Sequence, residues 1–124
     1  MALVIDEKGT ITLYQGDSGE ISVSGLDNTK NYIVYFAIQD KKRNLIGKEL
    51  QVSANKTGSV AFFLTPDYTD LLKVPSGKAY ETYTYGVKAC EADSDIEDTL
   101  FVAGGTYGDE NLIIVYPRKV AGGE

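Results

Sequence analysis

The chain has 124 residues, 43% of them hydrophobic and 24% charged; that is the composition of a globular chain able to bury a core, and it excludes a disordered one. Eighteen acidic against twelve basic residues give a net charge of −6, which repels phosphate backbones and sets nucleic acid aside as a partner. There is no histidine and one cysteine, Cys90, so no internal disulfide, no histidine-activated nucleophile and no ordinary zinc ligand set can form.

The first residues, Met1 to Glu7, lack a basic segment and a long apolar run, so no secretory signal is expected, nor any membrane partner. Ile11 and Leu13 alternate with polar residues, and so do Ile21 and Val23. These patterns predict two half-buried strands, paired as a hairpin with Leu13 opposite Ile21 and Ile11 opposite Val23. Residues 15–19 would form its loop. Tyr32 to Ile38 is apolar on both faces, which suits a central strand. Ile46, Leu50 and Val52 predict a fourth strand with a kink at Gly47, and Val60, Phe62 and Leu64 a fifth. Thr65-Pro66-Asp67 opens the one helical segment, near residues 66–72: Thr65 caps free N–H groups, Pro66 fits the first position and Asp67 favours the positive end of the dipole. Val74-Pro75 and Gly77 end it.

Strand character returns at residues 81–90, with Tyr83, Tyr85, Val87 and Ala89 on one face. Residues 96–103 follow, with Leu100 and Val102 opposite Phe101, and Leu112 to Tyr116 is a last buried strand ended by Pro117. About eight one-sided strands and one short helix predict an all-β fold: a two-sheet antiparallel β-sandwich, Ig-like in a loose sense. It would fill a single domain over residues 1–120, with 121–124 a flexible tail.

Gly16-Asp17-Ser18-Gly19 spells the nucleophile motif of chymotrypsin-like proteases. A serine needs a base within hydrogen-bond reach, and without histidine the four residues read as a turn. Glu91, Asp93, Asp95, Glu97 and Asp98 alternate like calcium ligands, but the sixth position from Asp93 is Asp98 rather than glycine, so a solvated loop is expected and no cofactor or metal is assigned. Lys41-Lys42-Arg43 reads as a solvated turn, Cys90 as a small buried hydrophobe, and Gly104 to Gly108 as a flexible loop rather than a phosphate cradle. Nine tyrosines and no tryptophan single out Tyr83, Tyr85 and Tyr107 as contacts for a protein interface or a glycan, against the plainer expectation that each packs partly buried.

The segments "ITLYQGDSGEISVSGL", "NYIVYFAIQD", "TPDYTDLLKVPSG", "YTYGVKAC" and "EDTLF" together resemble small β-sandwich structural proteins of tailed bacteriophages, and the strand–Gln-Gly-Asp–strand opening is similar to virion-anchoring domains of baseplate and fibre proteins. The resemblance implies a non-enzymatic virion building block: a head-fibre, capsid decoration or baseplate component, made in the host cytoplasm, homo-oligomeric and partnered by other virion proteins. The alternative on the residues is a carbohydrate-binding module or host-surface adhesin.

Overall fold

The computed structural model describes residues 3–100, 102 and 111–119. The expectations for Phe101, Ala103, the Gly104–Gly108 loop, Tyr107 and the 121–124 tail lie outside the described residues. Among those described, the chain is mostly β. It runs β1 (Val4–Ile5), β2 (Ile11–Tyr14), β3 (Gly19–Ser24), β4 (Asn31–Gln39), β5 (Leu45–Asn55), β6 (Ser59–Leu64), α1 (Pro66–Thr69), β7 (Glu81–Glu91), β8 (Glu97–Leu100) and β9 (Leu112–Tyr116). The strand β1 escapes the sequence because two residues carry no periodicity.

Seven strands form one mixed sheet in the order β1-β2-β9-β7-β4-β5, with β8 pairing the second half of β7; β3 and β6 form a separate two-stranded sheet. Two expectations are corrected. The sheet is not wholly antiparallel, because β2 and β9 run parallel with Ile11 opposite Ile113 and Tyr14 opposite Tyr116. The hairpin of Leu13 with Ile21 does not form either: β2 is flanked by β1 and β9, so both its edges are taken. The strand β3 leaves for the second sheet, where Ile21 faces Phe62 and Val23 faces Val60. The same alternation serves either pairing, since it fixes a strand's faces and not its neighbour.

The expected central strand is β4, which lies between β5 and β7. The kink at Gly47 is a bulge: Leu50 faces Phe36 and Ile46 faces Ile38, so three residues of β5 oppose Ala37. Gly47 has a φ of 69°, in the left-handed region. The helix is shorter than expected. Thr65 Oγ1 accepts from the Tyr68 N–H at 3.2 Å, but beyond Asp70 the Leu71 and Leu72 N–H groups bond three residues back, to Tyr68 and Thr69, a tightening typical of a helix end.

One core fills the space between the two sheets. Phe36 of β4 meets Phe62 of β6 with ring centroids 5.6 Å apart, and Tyr85 of β7 stacks on Phe36 at the same spacing. Ile11, Leu13, Ile113 and Val115 bury the parallel pair on the same side. Each such side chain contributes about 1.5–3 kcal/mol of apolar burial. Even-numbered residues of β2, β7 and β9 and odd-numbered residues of β4 point the other way, onto an outer face.

Candidate functional site

Ser18 lies in the segment that carries the chain from β2 to β3, between sheets. Gly16 turns the chain with a φ of 86°, and the Asp17 N–H bonds the Tyr14 carbonyl at 3.1 Å. Gly19 lies so close to Leu3 that a Cβ would stand 2.5 Å from the leucine Cβ. The buried Thr69 hydroxyl donates to the Asp17 carbonyl at 2.6 Å. The four residues fix a crossing and are pinned to the end of α1.

The structure turns Tyr83 and Tyr85 into the core. They are 7% and 6% exposed, because β7 turns its odd-numbered residues inward. The Tyr83 hydroxyl donates to the Lys73 carbonyl at 2.6 Å and the Tyr85 hydroxyl to that of Gly9. Burial pushes the Tyr83 phenol above its ordinary range. Neither Tyr83 nor Tyr85 therefore offers its ring at the surface. Cys90 is likewise corrected: it is half-exposed, on the outer face.

The acidic loop does not gather. Glu91 pairs with Lys30 at 3.4 Å and Glu97 with Lys88 at 3.0 Å, and the described residues hold no cluster of carboxylates or thiols fit for a metal. Glu97 holds the Lys88 ammonium above its ordinary range by hydrogen bond and charge. Lys42 and Arg43 sit in a turn organised by Asp40, whose carboxylate accepts from the Lys42 and Asn44 N–H groups at 2.8 and 2.9 Å.

What the fold does assemble lies on the outer face of the large sheet. At one end Tyr14 and Tyr116 face each other across the parallel pair, rings 5.6 Å apart, and Tyr80, just before β7, stands 6.0 Å from Tyr116. Tyr14 and Tyr80 are 42% and 49% exposed. Beside them Arg118 pairs with Asp70 at 3.2 Å, and the Gln15 amide donates to the Asp70 carbonyl at 3.0 Å. At the start of β7, and off this face by the strand's alternation, Glu81 is held by Lys41 at 2.9 Å and Lys78 at 3.3 Å. The Lys41 hydrogen bond, with the Thr82 N–H, pulls its carboxyl down to about 2.

Further along β7, roughly 20 Å from Tyr80 by strand rise, the face dips where Ala37 opposes Gly86. The depression has a volume of about 560 Å³. The sequence signal for the tyrosine row was present: alternation puts Tyr14 opposite in sense to Leu13, and Tyr116 to Val115. The missing information was that β2 and β9 are neighbours.

The fold and this surface define a β-rich protein that presents an aromatic and polar sheet face. Comparison with protein-family models, curated proteins and solved structures found no match for the chain.

Proposed function

We propose that the protein is a non-enzymatic structural component of a phage virion, a head-fibre, decoration or baseplate element that works by protein–protein assembly. The observation that carries the assembly part is the row Tyr14–Tyr116–Tyr80, exposed at Tyr14 and Tyr80 and half-buried at Tyr116, with Arg118 at its rim. Tyrosine and arginine are the residues that dominate binding energy in protein interfaces, because they bring large contact area with polar tips. The direction toward a virion comes from the resemblance of the segments around Thr12–Leu26 to phage structural proteins. Two sheets sharing one core support a finer reading of the fold as a β-sandwich, Ig-like in a loose sense.

Native mass spectrometry and light scattering test the assembly reading. The expected result is a homo-oligomer that Tyr14→Ser combined with Tyr80→Ser dissociates, with the far-UV spectrum unchanged. A strict monomer that binds no particle component removes the reading. A gene neighbourhood without portal, capsid or tail genes removes its virion part.

A further inference from the structure

Gly86 stands in the middle of β7 in an extended conformation, outside the left-handed region. A Cβ built on it meets no atom within 4 Å. A glycine inside a strand weakens it, and neither backbone geometry nor packing within the described chain requires one here. Its cross-strand partner is Ala37, so two adjacent strands lack bulk at the same point of the outer face. Such a glycine marks a place where something approaches the sheet closely. The depression it opens is rimmed by Tyr35, Gln39, Glu49, Thr84, Lys88 and Thr99, and its volume is in the range of small-molecule sites.

We propose that this depression binds a neutral oligosaccharide lying along β7. The backbone beneath it is already spent: β4 pairs with β5 and β7, and β7 with β4 on one side and β9 then β8 on the other. A polypeptide strand therefore cannot add to it through main-chain hydrogen bonds, and recognition falls to side chains. Those are two hydroxyls (Thr84, Thr99), an amide (Gln39), a carboxylate (Glu49) and a tyrosine ring (Tyr35). Hydroxyls and amides both donate and accept, as the hydroxyls of a sugar do, and one carboxylate accepts from two neighbouring hydroxyls. The ring offers an apolar face to the C–H side of a pyranose. Charge excludes an anionic ligand: Lys88 is neutralised by Glu97 at 3.0 Å, and Glu49 leaves the rim negative, repelling phosphate, sulfate and acidic sugars. The site is independent of the assembly reading, since neither the tyrosine row nor an oligomer contributes to it.

Wild-type protein and Gly86→Val are applied to an array of neutral and acidic oligosaccharides, and the strongest neutral hit is titrated by calorimetry. The expected result is retention of neutral oligosaccharides over acidic ones. Affinity should fall at least tenfold in both Gly86→Val and Gln39→Ala, with melting temperature preserved. A silent array overturns the proposal. So does a hit that Gly86→Val leaves intact, or a linear peptide library that yields the only binder to the depression.

Discussion

Thr69→Val separates the scaffold role of the Gly16–Gly19 crossing from a catalytic one. Valine keeps the volume and branching of threonine, so no cavity opens, and what is lost is one hydroxyl. That hydroxyl is fully buried and donates to the Asp17 carbonyl at 2.6 Å. A neutral hydrogen bond is worth about 1 kcal/mol, and a carbonyl left dry raises the loss toward 3 kcal/mol. Asp17 is half-buried, so water reaches it in part, and the expected loss is about 1.5 kcal/mol. For a chain of this length that corresponds to a fall in Tm of about 6 °C. Ser18→Ala is the control. Its hydroxyl bonds none of the described residues, and the expected change is within about 0.5 kcal/mol. Urea unfolding followed by far-UV circular dichroism measures both. A Thr69→Val variant as stable as wild type, or a Ser18→Ala variant that loses as much, refutes the assigned roles.

Phe62→Ala should cost about 3–5 kcal/mol by urea unfolding, because Phe62 is the contact of the small sheet with Phe36; a loss below about 1 kcal/mol would mean that the sheets do not share a core. Gly86→Ala should stabilise by about 0.5–1 kcal/mol, whereas Gly16→Ala, at a φ of 86°, should destabilise by at least as much, and equal effects in thermal melts would contradict the backbone geometry. Glu81 has a folded pKa of about 2 against an ordinary 4.5, so its contribution is present above pH 4.5 and fades as pH falls toward 2. The Tm gap between wild type and Glu81→Gln should be small, since its lysine partners are largely exposed, and should close over that window; a gap unchanged at pH 2 rules the linkage out. Tyr68 is raised to about 12 by burial, so its stabilising effect holds below pH 10 and is lost as pH rises through 12. Spectrophotometric titration of wild type and Tyr68→Phe should show one phenol ionising near pH 12 that the variant lacks, and a single phenolic step near pH 10 would contradict it.

The strands were legible because alternation is a local property. Ile11 and Leu13, Ile21 and Val23, and Val60 to Leu64 all bury the residues that the pattern marks. The caps of α1 were legible for the same reason, since Thr65 and Pro66 act on their immediate neighbours. Pairing was not. Ile11 and Leu13 fit beside Ile21 and Val23 as well as beside Ile113 and Val115, and only the last, about a hundred residues away, is used. The tyrosines mark the same limit. Tyr83 and Tyr85 share a face, as alternation requires, but alternation does not say whether that face is the wet one. It is the face that meets Phe36 and Phe62, and the candidate surface is the opposite one, built from Tyr14, Tyr80 and Tyr116.

A strand apolar on both faces ordinarily has both faces covered. The strand β4 fulfils one half of that expectation. Tyr32, Val34, Phe36 and Ile38 lie under the small sheet and its flanking loops, while Ile33, Tyr35 and Ala37 are half-buried on the outer face. The neighbours on that face, Ile114 of β9 and Cys90 of β7, are also half-buried. A sheet face built only to meet water has no use for this much apolar surface, nor for a glycine that costs strand stability in its middle. The two proposals divide the face between them by chemistry. The tyrosine end, with its exposed rings and Arg118, suits a protein contact. The Ala37–Gly86 dip, with hydroxyls, an amide and a carboxylate over a saturated backbone, suits a sugar. Substitutions at Tyr14 and Gly86 therefore act on separate readouts, and a variant at one position that altered both would mean that the face is a single interface.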